Sequence, residues 1–178
     1  MNPDERRRRF EAVAPAVVDA VRRYLARRTD AATADDVLQE TLLVCWRRLD
    51  DMPAVELLPW AYGIARLCLA NAERSHRRQN RLVARILRLD PPGAVTRMVD
   101  DTDGELAEAM ARLRPDDVEL LRLWAWEDLT PGEIATVLGI SANAASIRLH
   151  RAKQKLRDEL RKHSHPGGHE ELTEGRRP

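Results

Sequence analysis

The sequence predicts an all-α protein: two small helical domains joined by a flexible linker, the second domain a helix-turn-helix. Three observations lead there. Apolar residues recur at steps of three and four along nearly the whole chain, the spacing of one helix face. Only eight glycines and one phenylalanine occur in 178 residues, which argues against a sheet-rich fold. Residues 89–104 gather Pro91, Pro92, Gly93 and Gly104 with Asp100, Asp101 and Asp103, the composition of a linker. The expected organisation is a first domain over 1–88, a linker over 89–104, a second domain over 105–162 and a disordered tail over 163–178. A chain of this length holds one ordinary domain or two small ones.

Taken in order, Phe10, Val13, Val17, Val21, Tyr24 and Leu25 mark a first helix, which Pro15 is positioned to interrupt. Residues 29–33 form a polar break. A second helix covers 35–49, with Leu38, Leu42, Cys45 and Leu49 on one stripe. Residues 50–59 read as a loop because Pro53 and Pro59 limit helix there, and Pro59 fits the first turn of a third helix. That helix runs through Trp60, Ile64 and Leu67 into an arginine-rich stretch. Beyond the linker come a helix over 105–113 and another from Pro115 through Trp124. From His163 onward the chain turns His/Gly/Pro/Glu-rich and loses periodicity.

Composition excludes several classes. No run of about 18 apolar residues is free of charge, so no membrane span is expected. The charged start lacks an apolar stretch behind it, so no secretory signal is expected and the cytoplasm is the expected location. Cys45 and Cys68 each sit in an apolar stretch and read as reduced core residues. Charge is nearly balanced, 30 Lys+Arg against 29 Asp+Glu, but it is strongly segregated. Residues 60–90 carry seven basic and two acidic side chains, a balance of +5, and residues 141–162 carry the same. Between them, 98–128 holds ten acidic and three basic, a balance of −7. Two basic blocks flanking an acidic one fit two contacts with one long polyanion, or else two solvated helix faces.

The most specific local pattern is LTPGEIATVLGISANAASIRLHRAKQKL, residues 129–156. Thr130 is placed as an N-cap, Pro131 at the first helical position, and Glu133 closes a capping box. Ile134, Ala135 and Leu138 form an inner face, Gly139 can end the helix in the left-handed conformation, and Ser141 caps the next helix. Ala145, Leu149, Ala152 and Leu156 then form a buried stripe. A short helix, a turn of about three residues and a longer basic helix make a helix-turn-helix. The second helix would enter the major groove, with Asn143, Ser146, Ile147, His150 and Arg151 on its open face. Asn143 and Arg151 can bond base edges, while Arg148, Lys153 and Lys155 fit phosphates.

Residues 125–156, with their Trp-Glu-x-Leu-x-Pro-x-Glu-Ile-Ala and Arg-Leu-His-Arg-Ala-Lys runs, resemble region 4 of the extracytoplasmic-function (ECF) sigma factors, sigma-70-type initiation factors of bacteria. The resemblance implies a protein that binds core RNA polymerase and directs it to promoters, with region 4 reading the −35 element and meeting the β flap. In the first half, residues 35–46 (DDVLQETLLVCW) resemble region 2.2. Asp36, Gln39 and Glu40 share one helix face beside Trp46, read as exposed. The resemblance implies docking of this face on the clamp helices of the polymerase β′ subunit. Trp60 to Arg66 (WAYGIAR) resembles regions 2.3 and 2.4 and leads to Asn71, Arg74, Arg77 and Arg78. The family implication is a grip on the −10 element, with non-template bases flipped out and captured by a pocket built from residues 50–58. Trp60 and Tyr62 can stack unpaired bases, though core packing is an equal reading of each, while Arg66 and the arginine cluster follow the backbone.

Two positions depart from the family pattern. Ala61 stands where many members have leucine, and Ser146 where many have a basic residue, which implies fewer direct −35 base contacts. No regions 1.1 or 3 are recognisable. Read this way the chain is not an enzyme; the polymerase supplies the chemistry. Treating Asp35, Asp36 and Glu40 as metal ligands finds no support, since no histidine precedes His76 and no phosphate-binding glycine loop occurs. No cofactor or metal is expected; His163, His165 and His169 lie in the tail without a rigid scaffold. An anti-sigma factor is a partner implied by the family alone. Two rival readings are a stand-alone helix-turn-helix regulator and an adaptor that binds polymerase without DNA. The region 2.2-like helix and the arginine-rich third helix count against the first.

Overall fold

The structure is a computed structural model that describes residues 2–87 and 104–164, with side chains through 81 and from 104 to 162. Every regular element among these residues is helical. The first module holds α1 (Pro3–Ala26), α2 (Ala31–Arg47), a 3₁₀ turn (Leu49–Asp51) and α3 (Leu57–Leu87). The second holds α4 (Gly104–Ala111), α5 (Pro115–Ala125), α6 (Pro131–Leu138) and α7 (Ala142–Ser164). The expected linker, apart from Gly104, and the tail beyond Ser164 lie outside the described residues.

Each helix starts where local chemistry dictates. Asn2 accepts a hydrogen bond from the Asp4 amide (3.1 Å), and Pro3 supplies a first-turn residue whose missing N–H costs nothing. The helix therefore begins seven residues before Phe10, and it runs on through Pro15, which faces solvent. The expected interruption does not occur. Val17, Val21, Tyr24 and Leu25 hold the following turns in the core, and Arg6 and Phe10 hold the preceding ones on α2. Asp30 caps α2 by accepting from the Thr33 amide (3.0 Å), so that helix starts inside the expected polar break. That hydrogen bond from the Thr33 backbone holds the Asp30 carboxyl below its ordinary range.

Val17, Val21 and Leu25 of α1 pack with Val37, Leu38 and Cys45 of α2 and with Ala61, Ile64 and Ala65 of α3. Cys45 and Cys68 are buried free thiols, and burial pushes the Cys45 thiol up to about 11. In the second module Leu120, Leu121 and Leu123 meet Ile134, Ala135, Ala145, Leu149 and Ala152.

The two modules share one continuous core rather than standing apart. Gly63 of α3 faces the backbone of α6, where an added Cβ would lie 3.5 Å from the Val137 carbonyl oxygen. Tyr62 stacks on Tyr24 at 5.2 Å between ring centroids. Arg28, only 3% exposed, is the polar hub of this junction. It donates to Glu127 Oε1 (2.9 Å), to Glu119 Oε2 (3.2 Å) and to the Tyr24 carbonyl (2.9 Å), and its guanidinium lies 3.6 Å from the Tyr24 ring centre. Arg27 reaches Glu127 (3.4 Å) and the Trp126 carbonyl (3.1 Å). At the far edge Thr136 donates to Glu56 (2.8 Å).

Candidate nucleic-acid and partner interface

The second module contains the expected helix-turn-helix in detail. Glu133 accepts from the Thr130 amide (2.8 Å) while its own amide donates to Thr130 Oγ1 (3.3 Å), which completes the capping box. Gly139 ends α6 at φ 65° and ψ 39°, and the Ala144 amide donates to Ser141 Oγ (3.2 Å) at the start of α7. Ala145, Leu149 and Ala152 face inward. Asn143, Ser146, Ile147, Arg148, His150 and Arg151 are all exposed, as expected. Residues 143, 146, 147, 150 and 151 form a continuous stripe about 12 Å long at 1.5 Å per residue, comparable to the width of a major groove.

Two lysines expected at phosphates also make contacts within the module. Lys155 donates to Asp117 (2.6 Å) and so ties α7 to α5. The reason is helical register: residue 155 follows Ala152 by three and turns toward the neighbouring helix. Burial alone would raise the Asp117 carboxyl, but hydrogen bonds from Lys155 and Arg114 outweigh it and hold the group below its ordinary range. Lys153 stands 3.4 Å from the centre of the Trp124 ring, a cation–π contact that also draws it off the groove-facing stripe. On α6, Val137 is buried beside Ile134 and Ala135, while Leu138 is only half-buried. Contact with α3 gives this short helix a second covered face, which its own periodicity does not disclose.

In the first module, Asn71, Arg74, Arg77 and Arg78 line the exposed side of α3, and Arg81 continues the row. Arg77 lies 3.9 Å from Glu73, a loose surface pair that leaves the cationic face intact. Trp60 and Arg66 are half-buried. Tyr62 is 5% exposed, so with the modules packed it serves the core, and burial raises its phenol above the ordinary range. Asp36, Gln39 and Glu40 lie exposed on α2 as expected, and Leu43, 47% exposed, extends their face by a turn.

Trp46 is not exposed as expected but half-buried. Phe10 meets it edge to face (5.4 Å between centroids), and the Arg6 guanidinium lies 5.2 Å from its ring centre. The all-charged run from Asp4 to Arg9 gave no apolar stripe to announce that helix α1 covers this ring. Arg6, Arg9 and Arg28 are the residues that sequence reasoning missed. The available signal was spacing: residues 6, 9 and 10 continue the Val13–Val17 face backward, and residue 28 follows Val21, Tyr24 and Leu25 on the same stripe.

The loop before α3 is anchored at its base by Leu49, 1% exposed, while Val55 near its end is 92% exposed. Between the modules runs a groove of about 540 Å³, lined by Leu69, Met110, Leu121, Trp124 and Trp126 with Arg66 at its wall. Among the described residues no cluster of His, Cys, Asp and Glu could hold a metal ion, and no helix is long and apolar enough to cross a membrane.

Comparison with known proteins places both modules in a known family. Residues 9–81 match Sigma-70 region 2, and residues 103–156 match Sigma-70, region 4. The chain is 35% identical over 158 residues to the RNA polymerase sigma factor CarQ of Myxococcus xanthus, covering 85% of this chain and 88% of that one. It is 32% identical over 143 residues to the ECF RNA polymerase sigma factor SigL of Mycobacterium tuberculosis, covering 76% and 79%. Among solved structures, the sigma factor RpoE bound to the anti-sigma factor NepR from Bartonella quintana superposes with a TM-score of 0.59 at 20% identity, over 85% of this chain and 96% of that one. CnrH in complex with the cytosolic domain of CnrY gives 0.53 at 23% identity, over 90% of each.

Proposed function

Given that the chain belongs to the sigma-70 family, in its ECF class, and so directs RNA polymerase to promoters, we propose which surfaces carry each step. Asn143, Ser146, Ile147, Arg148, His150 and Arg151 on α7 read the −35 element. Asn71, Arg74, Arg77 and Arg78 on α3 hold the backbone at −10, with Trp60, Tyr62 and Arg66 beside the unpaired strand. Asp36, Gln39 and Glu40, extended by Leu43, dock on the clamp helices of β′, and the second module meets the β flap. The chain performs no chemistry of its own, works in the cytoplasm and is restrained by an anti-sigma factor, as RpoE and CnrH are seen with protein partners.

The observation that carries this reading is the presence of two cationic helical faces on two modules, one on α3 and one on α7. Geometry adds a requirement. The elements lie about 25 base pairs apart, about 85 Å at 3.4 Å per pair. A compact chain of this length is roughly 40 Å across. The modules must therefore part for both elements to be held at once.

The test is reconstitution with core RNA polymerase and transcription from a library of promoter fragments randomised at both elements. Sequenced transcripts should show enrichment at −10 and −35, and Arg151→Ala should relax preference at −35 only. Transcription without sequence enrichment, or no binding to core, would refute the reading.

A further inference from the structure

We propose that Arg6 and Arg9 of α1 are positioning residues for −10 recognition, holding residues 48–56 in the shape that receives an unstacked base. The inference rests on the promoter reading above and adds residues that no sequence motif marks.

The geometry is specific. Arg6 donates from Nη1 to Asp50 Oδ2 (2.7 Å) and from Nη2 to the Trp46 and Arg47 carbonyls (2.6 and 3.1 Å). Those carbonyls end α2, where backbone acceptors lack helical partners and the helix dipole favours a cation. One planar fork thus fixes the end of a helix and the first acidic residue of the following turn together. A lysine ammonium can pair with Asp50 but cannot present the same fork. One turn further along α1, Arg9 donates to the Met52 carbonyl (3.2 Å). Phe10, on the same face, seats Trp46.

Residues 52–56 lie outside any helix. Their far end is tied by Glu56 to Thr136 of α6, a residue of the second module. Thr136 must leave with its module when the chain spans both promoter elements. Arg6 and Arg9 then remain, among the described residues, as side chains that grip the loop from outside it in the state that opens DNA. Unstacking a base is unfavourable by a few kcal/mol, so a receiving loop must be ordered beforehand to offset it.

The experiment uses holoenzyme reconstituted with core polymerase, the randomised promoter library as probe, and permanganate reactivity of unpaired thymines near −10 on the best selected promoter. Arg6→Ala is expected to lower open-complex yield about tenfold, the effect of losing a charged hydrogen-bond network. It should flatten base preference at −10 while leaving −35 preference and core affinity unchanged, and Arg6→Lys should restore part of the loss. Arg9→Ala, which leaves the α2 terminus untouched, should move the same readouts in the same direction and serves if Arg6→Ala fails to fold. Unchanged −10 preference with opening within twofold of wild type in folded variants would overturn the positioning role. So would a loss shared equally between −10 and −35, which marks general destabilisation. If the unmodified protein enriches neither element, the promoter reading itself fails and this inference falls with it.

Discussion

Replacing Arg28 by methionine tests the junction between the modules, because it keeps most of the volume and removes the charge. In the folded chain Arg28 and Glu127 are each 3% exposed and lie 2.9 Å apart, so the substitution strands a buried carboxylate. Removing one partner of a buried pair costs about 3–5 kcal/mol. Two features favour the lower end. Arg27 still reaches Glu127 at 3.4 Å, and Glu119, 20% exposed, can turn to water. About 3 kcal/mol is therefore expected, a fall in thermal midpoint of roughly 6–12 °C for a chain of this size. Calorimetry should show the single transition broaden or split as the modules uncouple, and small-angle scattering should show a larger radius of gyration below the transition. Arg27→Met, at a half-exposed site, should cost under about 1 kcal/mol and serves as the control. A loss below about 1 kcal/mol for Arg28→Met, with unchanged scattering, would refute the packed junction described above.

Three further outcomes follow from the second module. Gly139→Val forces a β-branched side chain into φ 65°, so thermal melts should show a loss of at least about 1–2 kcal/mol. Arg151→Ala or Asn143→Ala should reduce discrimination between matched and mismatched −35 fragments by about 1–3 kcal/mol per base lost, measured by competition binding of holoenzyme. The Asp117 carboxyl is held below its ordinary range when folded, so its contribution to stability is fully present above pH ~4, its unfolded value, and is lost as pH falls through the folded one. Asp117→Asn should accordingly flatten the acid limb of a urea-stability profile and lower the neutral plateau; an unchanged acid limb would show that the Lys155 pair is not formed in solution.

The helix-turn-helix was legible in the sequence because its signals are local. Thr130, Pro131, Glu133, Gly139 and Ser141 act within a few residues of themselves, and the Ala145–Leu149–Ala152 stripe needs only helical period to be read. The arrangement of the two modules was not legible, because its determinants are long-range and aperiodic. Arg28 finds its partners 91 and 99 residues away, and the Gly63–Val137 approach joins two helices whose sequences give no sign of each other. Charge also misleads when read by composition. Lys155 belongs to a basic block, yet its specific neighbour is Asp117, so it also ties helices together while its side chain stays partly exposed. Trp46 and Tyr62 show the same limit from the apolar side. An aromatic on a helix reads equally as a binding group or as core until the element that covers it is known, and for Trp46 that element is a run of arginines.

The chemistry of the junction bears on why it can part at all. An apolar interface gains stability in proportion to the area hidden from water and loses it all on opening. A buried ion cluster behaves otherwise, because Coulomb attraction inside is largely offset by the hydration that the charges gave up. When Arg28, Glu119 and Glu127 separate, each recovers that hydration, and the net cost of opening is much smaller than the contact distances imply. The same cluster makes wrong arrangements expensive, since any shift that hides one charge without its partner incurs the full desolvation penalty. Tyr24 shares in this: burial, reinforced by the Glu119 charge, holds its phenol protonated and able to donate to Glu119 (3.1 Å). The ion cluster thus adds specificity at little net stability to a junction whose shared apolar core carries the strength. That combination fits the proposal that the modules separate on a promoter and find the same packing again after release.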